Sequence, residues 1–127
     1  MAEDNKRVEN IEVNLSYLNE IASGSVEFMI DMIDIFLEQT PIYLTQLTEA
    51  VEARDWKTAG DVAHKIKPTL AFMGVEYGKE VMAEIERKAR NTTEVDTIAE
   101  ALKYIHSITP TIYSRLNQHR QELEKQL

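Results

Sequence analysis

From Asp55 to Met73 the apolar residues Ala59, Val62, Ala63, Ile66, Leu70 and Met73 recur at intervals of three and four, the spacing of a single helix face. The same period returns in every apolar stretch, and no segment alternates for long enough to make a strand. Such a chain has one stripe per helix to hide, so it folds by packing helices on helices. Its 127 residues suit one domain with a sizeable core, and are few for two domains with a cleft between them.

Start and stop signals divide the pattern. After a polar tail over residues 1–12, Asn14 is placed to cap a short helix running to about Ala22, Gly24 to stop it and Ser25 to cap the next. The second helix is expected from about Val26 to Ala53, with Met29, Ile30, Ile33, Leu37, Leu44, Leu47 and Val51 as its stripe. Pro41 should bend it, having no N–H to donate. Asp55 caps the third helix and Gly74 ends it in a tight turn. A fourth, from about Val75 to Arg90, buries Val81, Met82, Ile85 and Ala89, and Thr93 with Asp96 has the pattern of a capping box for the fifth. That last helix has Ile98, Leu102, Ile105, Ile112 and Leu116 as its seam, with a kink or break expected at Pro110. Short connections between the later helices make neighbours antiparallel. The expected fold is therefore all-α, an antiparallel up-down-up-down four-helix bundle over residues 13–127 with the short N-terminal helix as a lid.

Charge narrows the function. A net charge of −8 argues against non-specific nucleic-acid binding, which needs lysine and arginine to neutralise phosphates. Residues 1–63 carry 13 acids and 4 bases, residues 64–90 carry 4 and 6, and residues 91–127 carry 5 and 4. Only the middle segment is net positive. There is no cysteine for a disulfide scaffold or thiolate metal site, no leader pattern, and no apolar run long enough to span a bilayer. A soluble, cytoplasmic monomer without a membrane partner is expected.

His64 opens the positive segment, on the side of its helix where the core has no use for an imidazole. At about 100° per residue it points roughly 140° from the centre of the apolar stripe, with Lys67 and Ala71 within about 60° of it. Gly60 and Ala71 leave little bulk around the ring, so another macromolecule could bring its backbone close. A lone surface histidine is usually only solvated. This one has a cationic neighbour one turn later and open space beside it, which suits a docking site built around a nucleophile.

The segment Ala63-His64-Lys65-Ile66-Lys67-Pro68-Thr69, followed by Gly74 and then Ile85-Glu86, resembles the signature of histidine-containing phosphotransfer (HPt) domains. The likeness runs from about Val13 to Arg90 and includes Asp55-Trp56. It implies that His64 accepts a phosphoryl group from a receiver-domain aspartyl phosphate and passes it to the aspartate of another receiver, as a phosphorelay intermediate in two-component signal transduction. The implied partners are receiver domains of response regulators and of hybrid sensor histidine kinases. The chain would be a carrier with no nucleotide site and no cofactor of its own, the Mg²⁺ coming from the receiver. A neutral imidazole attacks through one nitrogen while the other holds the proton, and Glu86, on the flank of its helix's buried face, is the candidate carboxylate to fix that tautomer. Lys67 would neutralise phosphoryl charge, with Lys65, Lys57 and Arg90 as lesser contributors. Thr69 is the small polar residue of the pattern, and Gly74 its turn. Where many members carry glycine after the lysine, this chain has Pro68, which should bend the helix beyond the nucleophile and leave Gly60 and Ala71 to compensate.

Other readings stand beside these. Glu86 and Arg90, four apart, make an exposed ion pair, which is the preferred account of Arg90. Phe28, Met32 and Ile35 form a second apolar line that either joins Leu15 and Leu18 in a receiver-docking patch or is core beneath the N-terminal helix, the latter slightly favoured. Asp61 and His64 are weak as metal ligands, because carboxylate-bridged bundles need inward Glu-x-x-His units on two helices. His106 and His119 lack a matching lysine, and Tyr43, Tyr77, Tyr104 and Tyr113 read as packing residues. The rival function is a non-phosphorylated helical adaptor or inhibitor that binds a receiver domain or sensor kinase.

Overall fold

A computed structural model describes residues 11–127. It contains five helices, α1 (Ser16–Ala22), α2 (Val26–Glu52), α3 (Trp56–Phe72), α4 (Glu76–Asn91) and α5 (Asp96–Glu124), and no strand among the described residues. Residues 1–10 of the expected polar tail lie outside the described residues, and Ile11 is already part of the core at 6% exposure.

Small polar side chains start the helices where the sequence places them, with two differences. Ser25 Oγ accepts the Phe28 N–H at 3.2 Å, and Asp55 accepts both the N–H of Thr58 at 3.2 Å and its hydroxyl at 2.7 Å. At α1 the cap falls on Leu15, one residue later than expected, although Asn14 Oδ1 still accepts the Ser16 N–H at 2.9 Å. At α5 the capping box does not form. The cap is Val95, without a side-chain bond, and Thr93 lies two residues too early to reach the helix's free N–H groups. The Thr97 hydroxyl instead donates to the Glu94 carbonyl at 2.6 Å.

The prolines do not interrupt their helices. α2 runs through Pro41, α3 through Pro68 and α5 through Pro110, so the expected break in α5 is absent. Ile105, Ile108, Ile112 and Leu116 are all buried on either side of Pro110, and packing of that seam outweighs one missing backbone bond. On α2 the buried stripe is Met29, Ile30, Ile33, Phe36, Thr40, Leu44, Leu47 and Ala50, leaving Leu37 and Val51 at its margins. α4 buries Gly78, Met82, Ile85 and Ala89, with Val81 half-buried. The four long helices touch in cyclic order, α2 on α3, α3 on α4, α4 on α5 and α5 on α2, while α1 lies on α2. The α3–α4 interface is the most extensive of these.

Gly74 ties the start of the chain to the end of α3. Its φ is +70°, and a Cβ there would stand 2.0 Å from the Asn14 carbonyl oxygen. The Asn14 N–H donates to the Met73 carbonyl at 3.2 Å, and Tyr17 stacks on Phe72 with ring centroids 5.7 Å apart. Gly74→Ala should therefore lower stability by about 2 kcal/mol or more, from the left-handed backbone and the clash together. Chemical denaturation and hydrogen exchange at the Asn14 amide check this; a wild-type midpoint with full protection would contradict it.

Candidate functional site

Two helices build the site across their shared interface. Ile66 and Ala63 anchor α3 in the core and turn His64 outward, its side chain 63% exposed. Ile85 and Ala89 anchor α4 in the same way and bring Glu86 to the seam, where its side chain is only 13% exposed. His64 Nδ1 lies 2.9 Å from Glu86 Oε2. Lys67 Nζ donates to Glu86 Oε1 at 2.8 Å, and Arg90 Nε donates to Oε2 at 3.1 Å. Arg90 reaches further, its terminal nitrogen donating to Asp61 Oδ1 at 3.1 Å.

The carboxylate decides the tautomer. Ionised Glu86 only accepts, so His64 Nδ1 donates, and in a neutral ring the lone pair then sits on the exposed Nε2. Burial pushes the Glu86 carboxyl up, but hydrogen bonds from Lys67, Arg90 and His64 outweigh it and hold the pKa at about 2. Asp61 is likewise held below the usual carboxylate range, first by the Arg90 hydrogen bond and then by the charge of Lys57. Arg90 is raised by its bonds to Glu86 and Asp61. What results is an exposed imidazole ring with its Nδ1 held by Glu86 and two cations, Lys67 and Arg90, on the same carboxylate.

The family model of the Hpt domain matches residues 31–126, which takes in everything from the first third of α2 to the end of α5. The chain belongs to the Hpt domain family. No curated protein and no solved structure matches it. Hpt domains are phosphocarrier modules of histidine phosphotransfer in phosphorelays and carry no nucleotide site. Among the described residues no helix is long and apolar enough to cross a membrane.

The Hpt fold brings His64, Lys67 and Glu86 together, and adds Arg90 and Asp61. Lys57 pairs with Asp61 at 3.4 Å on an almost fully exposed side chain, and Lys65 points outward. Gly60 does not keep the surface beside His64 bare for a partner. It is buried against α4, where a Cβ would stand 3.0 Å from Arg90 Cγ, so its smallness serves Arg90. Ala71 is half-buried and lines a surface groove with Asn14, Tyr17, Gly74, Tyr77 and Tyr104. The Thr69 hydroxyl turns back to the Ile66 carbonyl at 2.6 Å. Pro68 is exposed and leaves the His64 carbonyl without its helical donor.

Leu18 is fully buried and belongs to the core, not to a docking patch, because α1 packs that side against α2. Leu15 and Met32 are half-buried against the same core. Phe28 and Ile35 are exposed, together with Tyr17 and Ile21, which sequence reasoning did not single out. His106 is exposed with Nε2 2.8 Å from Thr48 Oγ1, and His119 is half-buried. Tyr113 packs edge-on against Phe36. The residue that sequence reasoning undervalued is Arg90. Its signal was Gly60, a helix-interior glycine costing about 1 kcal/mol relative to alanine, which marks a close approach by a neighbour.

Because the Glu86 pKa is lower folded than unfolded, its contribution is present above the ordinary carboxylate range and is lost as pH falls towards 2. Wild type should be more stable than Glu86→Gln near neutrality, and the gap should close between about pH 5 and pH 2 as the native carboxyl protonates. Urea midpoints of both proteins across that range test it. A gap independent of pH would assign the difference to packing.

Proposed function

We propose that this Hpt domain is a phosphorelay intermediate that carries the phosphoryl group on Nε2 of His64, between the aspartyl phosphate of one receiver domain and the aspartate of another. The 2.9 Å bond from His64 Nδ1 to Glu86, made by a ring that is 63% exposed, carries this assignment. In the accepting step the Nε2 lone pair forms the P–N bond as the aspartyl P–O bond breaks, and the aspartate leaves with that electron pair. Nδ1 keeps its proton, so no proton has to cross the interface. The donating step reverses this, the P–N pair returning to Nε2 while a second carboxylate takes the phosphorus.

Positioning and charge neutralisation govern such a transfer. Lys67, about one-third exposed, is placed to swing from Glu86 Oε1 to a phosphoryl oxygen, leaving the carboxylate still bonded by Arg90. The receiver brings Mg²⁺ and its own acidic pocket. Phe28 and Ile35, with Tyr17 and Ile21 and the half-buried Leu15 and Met32 at the margin, offer apolar contact for receivers of response regulators and of hybrid sensor histidine kinases. The connections over residues 53–55, 73–75 and 92–95 are short, which supports an antiparallel up-down-up-down bundle with α1 as a lid. The carrier acts as a cytoplasmic monomer, and each contact is brief, since a tightly bound carrier cannot cycle.

Incubation with a phosphorylated receiver should put acid-labile, alkali-stable label on wild type and none on His64→Gln. Label surviving in the variant removes His64 from the site, and receiver binding with no label on either protein indicates an adaptor. Lys67→Ala should slow phosphorylation about tenfold or more, with an unchanged circular dichroism spectrum. Unaltered single-turnover kinetics would exclude Lys67.

A further inference from the structure

Arg90 has a place in the cluster that neither surface ion pairing nor phosphate attraction explains. Its Nε and its terminal nitrogen bond two different carboxylates, Glu86 on its own helix and Asp61 on α3, so the planar guanidinium is held at both ends. The stem that reaches there crosses buried Gly60, whose missing Cβ makes the path available. The Glu86 oxygen it bonds is Oε2, the one that accepts from His64 Nδ1, while Lys67 holds Oε1. Asp61 stands one turn before His64 and brings negative charge towards the place where a phosphoryl dianion would arrive. A patch built only to attract that dianion has no use for Asp61.

We infer that Arg90, held by Asp61 across Gly60, is a positioning residue that fixes the Glu86 carboxylate behind His64 and so keeps the ring's proton on Nδ1 and its lone pair on Nε2. Glu86 has a flexible side chain, and Lys67 holds it as a point charge that sets no plane. Arg90 supplies the plane. By sharing Oε2 it also makes that oxygen a poorer proton acceptor, so the carboxylate orients the imidazole without removing its proton. Lys67 is then available to leave for the phosphoryl group without releasing Glu86.

This rests on His64 being the phosphoryl acceptor, and the test separates the two. The ¹⁵N NMR signals of the His64 ring, read at about pH 8 where an ordinary imidazole is neutral, report the tautomer without any phosphorylation. Wild type should be mainly the Nδ1–H form, and Arg90→Met and Asp61→Asn should both move the population towards Nε2–H. Each should slow phosphoryl acceptance from a phosphorylated receiver about tenfold. Arg90→Lys should fail to restore either quantity, because an ammonium cannot hold both carboxylates in one plane. Restoration by lysine, faster acceptance by Asp61→Asn, or an unmoved tautomer in Arg90→Met would each overturn the inference and leave Arg90 as a plain positive charge. If wild type itself takes no label, the phosphocarrier assignment fails, while the tautomer populations still decide what Arg90 does.

Discussion

A single half-buried carboxylate joins the two helices that make this site. Left alone at 13% exposure, Glu86 would be costly to keep ionised, since a charge drawn out of water must be paired and hydrogen-bonded. Here three donors surround it, and they come from both helices: His64 and Lys67 from α3, Arg90 from α4. The same bonds that make the charge tolerable orient the imidazole. Chemistry and packing are thus coupled at one residue, and the α3–α4 interface is both the core's broadest contact and the wall of the site.

That coupling explains where small residues are needed. Gly60 lies at the crossing of Arg90 over α3, and Gly74 at the point where Asn14 bonds the end of the same helix. Neither glycine faces an incoming partner. Both let another part of the molecule lie directly on α3, one beside His64 and one at the helix's far end, so that His64 stands on a helix fixed on both flanks. Most of the exposed large apolar residues, Tyr17, Ile21, Phe28, Ile35 and Ile42, lie on α1 and α2.

Much of this was legible in the sequence because it follows from period and from local bonding. The stripe of α3, the seam of α5 and the caps at Ser25 and Asp55 depend on neighbours within a few residues, which the sequence displays directly. The outward direction of His64 and the flank position of Glu86 follow from rotation about a helix axis. What escaped depends on how two helices settle against each other. Arg90 looked like the partner of Glu86 alone, since its bond to Asp61 spans 29 residues and no local rule pairs them. Gly60 has the same residue spacing whether it faces a partner or α4, and only the packed interface distinguishes them. The capping box at Thr93 and a break at Pro110 did not form for a related reason. A seam of buried isoleucines sets where α5 starts and lets it run through a proline, overriding terminal chemistry worth about 1 kcal/mol.

The charge pattern acquires a physical meaning once the site is placed. An acidic chain of net charge −8 is poorly suited to meet an acidic phosphate-bearing pocket at long range. At physiological ionic strength, however, fields between exposed charges fade over about 8 Å, so the distant acids of the N-terminal half count for little at contact. On the proposed function, a receiver pocket would meet Lys67 beside the Glu86 that holds the ring, with Asp61 already paired to Arg90 and Lys57. For the proposed carrier, repulsion at a distance with attraction only in register would discourage lingering in wrong orientations and let the correct one form and dissolve quickly. That balance would suit the proposed handing-on of a phosphoryl group.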